Sequence, residues 1–246
     1  LPRDLLVDIP GVGPGRLNEA YFEGADRARE EPRAGMRLLA RTLQDALRCR
    51  IHGCLVVDFE GFRRLVDALG GVDVDVPHAI DDEFVGEDGD VFSAHFRPGR
   101  QRLEGDAALR YARTRRADRD RWRRQRHVDL AVALVREALR IRSPARALRV
   151  LSAAASAVKT DLGVAGILLA AQGLARAVRK GVESVSVSPP LVRSVRTEEG
   201  KWVHRGSATE IASFVRRRWL VGELEDRAEK PARRQDQVTS IVFGLE

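Results

Sequence analysis

Between Arg110 and Arg126 the chain reads Arg-Tyr-Ala-Arg-Thr-Arg-Arg-Ala-Asp-Arg-Asp-Arg-Trp-Arg-Arg-Gln-Arg, nine Arg and two Asp, a net of +7. The whole 246-residue chain carries 43 Lys+Arg against 36 Asp+Glu, also +7, so everything outside this segment is neutral. The choice of Arg matters. A guanidinium is a planar fork that grips two phosphate or carboxylate oxygens at once and stays charged at any working pH. A solvated helix face usually mixes signs at i,i+4, whereas most of these Arg have no acidic residue at that spacing. A fixed oligo-anionic ligand accounts for the segment better. On a helix, Asp118, Arg121 and Gln125 fall three and four apart and share one face, with Arg124 beside them. Carboxylate, guanidinia and amide together suit a phosphate-rich ligand, with carboxylates left over for a divalent cation. Two further places offer the same chemistry: Arg3-Asp4, and Arg16-Leu17-Asn18 just past the run Pro10-Gly11-Val12-Gly13-Pro14-Gly15.

Other chemistries find no support. There is no Walker loop, GxGxxG, GxSxG or HExxH. The five His (52, 78, 95, 127, 204) are scattered, and Cys49 and Cys54 are too few for a disulfide scaffold or a four-thiolate zinc site. The two thiols either pair in an oxidising compartment or stay buried and free. The longest apolar stretch, Leu162 to Ala175, is broken by Gln172 and falls short of the about 20 residues a spanning helix needs. The chain opens without Met, at Leu1-Pro2-Arg3-Asp4, so a natural N-terminus carrying an anchor or signal is expected to have preceded it.

The elements that must hold these residues alternate between strand and helix. Strands are predicted at Leu5 to Ile9, Ile51 to Val57, Val72 to Val76, Val91 to Phe96 and Val182 to Val187, with another extended piece at Trp202. Helices are predicted from about Asn18, at Pro32 to Arg48, Phe59 to Leu69, after Asp106 as N-cap, onward from the Arg-rich segment, around Ala145 to Val158, Val164 to Val178 and Ala208 to Trp219. Pro10 to Gly15 reads as a turn and His78 to Asp90 as an acidic loop. Val238 to Phe243 is a candidate edge strand. The pattern argues an α/β protein, one layered domain over residues 1–220 with a charged tail over 221–246.

Five ordered blocks carry a family resemblance. They are Pro2-Arg3-Asp4; Ile9-Pro10-Gly11-Val12-Gly13 with Arg16-Leu17-Asn18-Glu19-Ala20-Tyr21; Val56-Val57-Asp58-Phe59-Glu60-Gly61-Phe62; Leu65-Val66-Asp67-Ala68-Leu69-Gly70-Gly71-Val72; and Leu103-Glu104-Gly105-Asp106 through Tyr111-Ala112-Arg113-x-Arg115, then Asp118-x-x-Arg121-x-x-Arg124-Gln125. Over about residues 1–220 the chain resembles the LytR-CpsA-Psr (LCP) family of bacterial cell-wall glycopolymer ligases.

The resemblance implies a three-layer α/β/α sandwich with a central mixed sheet. It implies a Mg²⁺-dependent phosphotransferase that moves a phosphoglycan from a polyprenyl-pyrophosphate carrier to peptidoglycan and releases polyprenyl phosphate. Arg3, Arg16, Arg113, Arg115, Arg121, Arg124 and Gln125 are then the pyrophosphate-binding set and Asp4 a Mg²⁺ ligand. Arg121, Arg113 and Asp118 stand at the reacting centre, Asp118 as an orienting group or base. Arg16 occupies a position where the family often has Lys. The implied setting is the extracytoplasmic face of the membrane, reached through the lipid carrier and an N-terminal helix. The family's second Asp lies in a Gly-x-Asp-x-Arg stretch upstream of Pro-Arg-Asp, so residue 1 begins after it, and Arg115 to Asp118 is about two residues shorter than usual. The Ala/Leu/Val-rich helices from Ala131 to Val178 are expected to line a tunnel for the prenyl chain or simply to pack the core.

Rival readings are a pyrophosphatase acting on the same carrier, a non-catalytic scaffold, and a nucleic-acid-binding basic module. Aromatics at 5%, the neutral remainder and the absence of a recognised nucleic-acid motif disfavour the last.

Overall fold

A computed structural model describes residues 1–27, 33–85, 91–114, 120–181, 187–217 and 243–245. The elements run β1 (Leu6–Ile9), β2 (Gly13–Arg16), α1 (Glu19–Arg27), α2 (Ala34–Leu47), β3 (Leu55–Val57), α3 (Phe59–Ala68), β4 (Val72–Val76), β5 (Ile80–Val85), β6 (Val91–Phe96), β7 (Gly99–Leu103), α4 (Gly105–Arg113), α5 (Asp120–Leu139), α6 (Pro144–Ala157), β8 (Val158–Thr160), α7 (Val164–Lys180), β9 (Val192–Arg196) and β10 (Trp202–Gly206). A helix, α8, follows over 208–217, and β11 is Phe243–Leu245. The mixed α/β class expected from the alternation is what the chain adopts. It packs as two compact units: Leu1–Leu55 with Thr160–Ala170 and Val185–Val242, and Val56–Lys159 with Ala171–Ser184 and Phe243–Glu246.

In the first unit, β1 and β2 form an antiparallel hairpin with Leu6 opposite Arg16 and Ile9 opposite Gly13. The Gly/Pro run is therefore not all turn, as its composition predicts. Its second half is a strand, because β1 supplies the ladder and the missing side chains are needed for contact: a Cβ on Gly15 would lie 2.8 Å from Ile9 Cδ1. Helices α1 and α2 cross closely for the same kind of reason. A Cβ on Gly24 would meet Ala34 O at 2.8 Å, and one on Gly35 would meet Tyr21 O at 2.5 Å. Met36, Leu43 and Leu47 of α2 are buried at helical spacing, and Leu43 and Leu47 join a core with Leu5, Leu17, Val192 and Ile211. β9 and β10 pair antiparallel, and a parallel bridge links Leu5 to His204.

The second unit is organised by β4–β7 (Val72 opposite Leu103) and β5–β6 (Ile80 opposite Phe96). β3 lies between β11 and β8. The core gathers Phe62, Val66, Val72, Val76, Ile80, Phe96, Tyr111 and Leu130, with Phe96 set edge-on to Tyr111 at 5.2 Å. Glycine again permits a close helix crossing: a Cβ on Gly61 of α3 would lie 2.7 Å from Ala157 Cα of α6.

Three further expectations change. The acidic segment after His78 contains strand β5, because Ile80 and Asp82 alternate inward and the carboxylates hide the pattern. β3 is shorter than Ile51 to Val57. Asp106 is not an N-cap; Glu104 occupies that position without a side-chain cap, and Asp106 sits in the first turn. Residues 182–186 and most of Val238 to Phe243 lie outside the described residues.

Candidate anion-binding site

Arg3 and Asp4 are pinned on both sides by backbone. Arg3 C=O accepts from Asn18 N–H (3.0 Å), Asp4 C=O from His204 N–H (2.8 Å) and Leu5 C=O from Leu17 N–H (2.8 Å). The hairpin thus returns Arg16 and Asn18 alongside Arg3 and Asp4, which sequence distance alone conceals. The Asp4 carboxylate sits between two guanidinia, with Arg3 Nε 3.4 Å from Oδ2 and Arg16 Nη1 3.8 Å from Oδ1. Arg16 is itself steadied by its backbone N–H, which donates to Glu19 Oε2 at 2.8 Å. Both contacts to Asp4 are long, so its oxygens keep acceptor capacity. Asn18 Oδ1 is buried with no hydrogen-bond partner among the described residues, a vacant hard-oxygen donor on the same stretch.

Arg113 belongs to the second unit and ends α4. The start of that helix is fixed by α3: Asp67 Oδ1 accepts from Gly105 N–H at 2.7 Å. Here a carboxylate from a neighbouring helix supplies the cap, placing negative charge at a helix N-terminus. Gly105 is required there, since a Cβ would stand 2.5 Å from Arg63 O and 2.7 Å from Asp67 Oδ2. At the other end the Arg113 guanidinium lies 4.9 Å from the centre of the Phe59 ring, a cation–π contact that aims it. Arg113 lines a small cleft with Arg63, Phe92, Asp106, Leu109 and Arg110.

The Arg-rich segment divides by role. Arg110 is spent internally, on Asp106 (2.8 Å), on Ser93 C=O (3.1 Å) and over the Phe92 ring (5.4 Å). Arg126 is buried, donates to Thr114 C=O at 2.7 Å and stacks 5.7 Å from the Tyr111 ring. It clamps the end of α4 to α5 and also lines the cleft on which Gln125 opens. His127 makes a second tie between these helices, its Nε2 3.1 Å from Ala112 O. Burial holds the His127 imidazole below its usual pKa of 6.5, with Arg123 and Arg126 adding to the effect against the opposing Ala112 hydrogen bond. The sequence reading counted Arg126 within the Arg-rich segment without giving it a role of its own, and noted His127 only as one of five scattered His. The available signal was periodicity: Arg126 precedes the buried Leu130 and Ala133 by four and seven residues and so shares their inward face.

Gln125 donates to Asp129 Oδ1 at 2.9 Å and opens on a cleft of about 150 Å³ with Asp75, Pro77, His78 and Asp129. Arg121 and Arg124 lie on the first turns of α5, which places 121 and 125 on one face; their side chains, and Arg115 and Asp118 altogether, lie outside the described residues. The structure therefore brings Arg3, Asp4 and Arg16 together in one unit and sets Arg113 and Gln125 on adjoining helices of the other. Cys49 and Cys54 are free thiols, the latter buried.

A model of the LytR_cpsA_psr family matches residues 1–218. The polyisoprenyl-teichoic acid–peptidoglycan teichoic acid transferase TagV of Bacillus subtilis (strain 168) is 28% identical over 196 residues, which is 76% of this chain and 46% of the relative. TagU of Halalkalibacterium halodurans, whose name gives the same activity, is 30% identical over 193 residues, 76% of this chain and 57% of the relative. The chain thus spans about half the length of these relatives. Among solved structures, B. subtilis TagV superposes with a TM-score of 0.66 at 22% identity, covering 94% of this chain and 83% of that one. B. subtilis TagT gives 0.60 at 22%, covering 92% and 77%. The fold is shared with both.

Proposed function

The chain belongs to the LytR-CpsA-Psr family, and on that premise we propose that it transfers a phosphoglycan from a polyprenyl-pyrophosphate carrier to peptidoglycan at the extracytoplasmic face of the cell membrane. The observation that carries the reading is the corner made by Arg3, Asp4 and Arg16, built from two blocks of the family pattern and locked by backbone hydrogen bonds. The names of TagV and TagU support the substrate class.

Phosphoryl transfer asks little covalent help of a protein; it asks for charge neutralisation and an in-line nucleophile. In the proposed reaction an acceptor hydroxyl of peptidoglycan attacks the phosphorus that bears the glycan. The bond from that phosphorus to the bridging oxygen breaks, polyprenyl phosphate leaves, and the hydroxyl proton passes to a base, the role assigned to Asp118. Arg3, Arg16, Arg113, Arg115, Arg121 and Arg124 bind and orient the pyrophosphate oxygens, and Gln125 adds an amide donor. Because the peptidoglycan hydroxyl supplies the attack, no Ser or Cys nucleophile is needed.

Among the described residues, Asp4 is the group that suits Mg²⁺. Among the described residues no three His, Cys, Asp or Glu side chains gather into a cage. Asp4, with the vacant Asn18 Oδ1 near by along the chain, suits an ion that takes most of its ligands from phosphate and water. When bound, it supplies further neutralisation of the phosphoryl oxygens.

The test is to incubate the protein with a polyprenyl-pyrophosphoryl glycan and Mg²⁺, with and without peptidoglycan. Glycan attached to the acceptor supports the transferase. Free glycan phosphate in both arms replaces it with a hydrolase, and no turnover in either replaces it with a scaffold.

A further inference from the structure

We propose that the solvent face of α6 docks on an anionic membrane surface, with one apolar stripe turned into the lipid. Pro144, Leu148, Leu151 and Ala155 stand at i, i+4, i+7 and i+11, so they form a single line along the helix. All four are exposed, Leu148 at 69% and Leu151 at 66%. The packed side lies about half a turn round. There Val150 and Ala157 are buried, Ala157 is the residue that Gly61 of α3 approaches, and Arg146 donates to Leu69 C=O. The helix therefore has its core contact already. Its apolar stripe is a second face, exposed from the first turn to the last, and it lies within one compact unit. A surface helix ordinarily turns charged and polar residues outward; one that turns out leucine needs a cover.

Charge identifies the cover. Residues 138–160 contain four Arg and one Lys but no Asp or Glu. Arg142 before the helix, Arg149 within it and Lys159 after it are exposed, and none of the three makes an ion pair among the described residues. Arg149, Ser152 and Ser156 border the stripe along one side. Apolar side chains flanked by cations, with no carboxylate, suit a helix at an anionic bilayer: its apolar chains reach about 5–10 Å deep and its charged heads stay at phosphate level. A second copy meeting this face across a two-fold axis would set the same cations against each other, with no carboxylate from residues 138–160 between them, so charge opposes self-pairing. Length agrees with lying in the plane. The 14 residues of α6 make about 21 Å of helix against about 30 Å of hydrocarbon, and no helix among the described residues is long and apolar enough to cross it. This surface is independent of the transferase reading, since it uses bulk lipid and none of the anion-binding residues.

The test is sedimentation of the whole chain with phosphatidylglycerol/phosphatidylcholine vesicles and with phosphatidylcholine vesicles, both free of prenyl lipid. Binding is expected to the first and to fall with added salt. Replacing Arg149 and Lys159 with Gln should weaken it by at least about tenfold, each cation near an anionic surface contributing about fivefold. Leu148→Ser with Leu151→Ser should weaken it comparably at unchanged charge, with an unaltered far-UV circular dichroism spectrum because both side chains are exposed. Leu151→Trp should add fluorescence that shifts to the blue only with the anionic vesicles. Absence of binding, binding indifferent to the Leu148 and Leu151 changes, or a dimer that those changes dissolve would each overturn the proposal, the last by showing that a second copy covers the face.

Discussion

Arg126 Nη2 donates to Thr114 C=O across 2.7 Å, from a side chain that is 3% exposed, and so ties the start of α5 to the end of α4. Thr114 is equally enclosed, its N–H donating to Arg110 C=O and its Oγ1 to Tyr111 C=O. A buried guanidinium in this position is a structural bolt between two helices.

Arg126→Met keeps most of the stem and removes the donor. Leaving a buried carbonyl without its partner costs about 1–3 kcal/mol. The urea midpoint should drop accordingly, whereas Arg123→Met, on the same helix but less enclosed, should change it little. Equal midpoints for the two variants would show that the clamp does not hold α4 and α5 together.

The junction between α3 and α4 gives a second stability test. Gly105→Ala forces a Cβ to within 2.5 Å of backbone at Arg63, a contact that cannot relax by rotating a side chain. Overpacking of this kind costs about 1–3 kcal/mol. Asp67→Ala removes the cap to Gly105 N–H and should cost about 0.5–2 kcal/mol. Thermal melts of both single variants and the double variant should show non-additivity, because the two residues share one contact.

Much of this architecture was legible in the residues. The places of α3, α6 and α7 follow from apolar spacing, with Gly70-Gly71 stopping α3, and Arg3, Asp4 and Arg16 stood out as charged residues on either side of a Gly-rich turn. What escaped has a common cause: partners supplied from far along the chain. β2 has almost no side chains from which to read a period, and β5 hides two inward positions, Ile80 and Asp82, within an acidic run. Asp67 reads as an exposed helix residue until α4 arrives to be capped. Arg126 and His127 look like more of the same basic segment, and only the α4–α5 contact assigns them inward roles.

The buried imidazole makes stability depend on pH. His127 titrates near its usual 6.5 in the unfolded chain and lower in the folded one. Between the two values the unfolded state takes up the proton first, so this contribution is complete above about pH 6.5 and is lost as pH falls toward the folded pKa. His127→Gln retains a donor for Ala112 C=O and cannot ionise. Urea midpoints at about pH 7.5 and about pH 5.5 should therefore fall further for the parent than for the variant. A parallel fall would place the acid sensitivity elsewhere.

Asp4 between Arg3 and Arg16 makes opposite predictions for the charge signs around it. A charge-assisted hydrogen bond contributes about 1.5–3 kcal/mol, so Arg3→Ala and Arg16→Ala should each weaken binding of inorganic pyrophosphate about 10- to 100-fold by calorimetry. Asp4→Asn removes the one carboxylate lying between the two guanidinia, and without Mg²⁺ it should bind pyrophosphate as well as the parent or better. With Mg²⁺ the ordering should reverse, because the parent gains affinity through its carboxylate and the variant does not. If Asp4→Asn gains as much from Mg²⁺ as the parent, Asp4 is not a metal ligand and serves only to hold Arg3 and Arg16 in register.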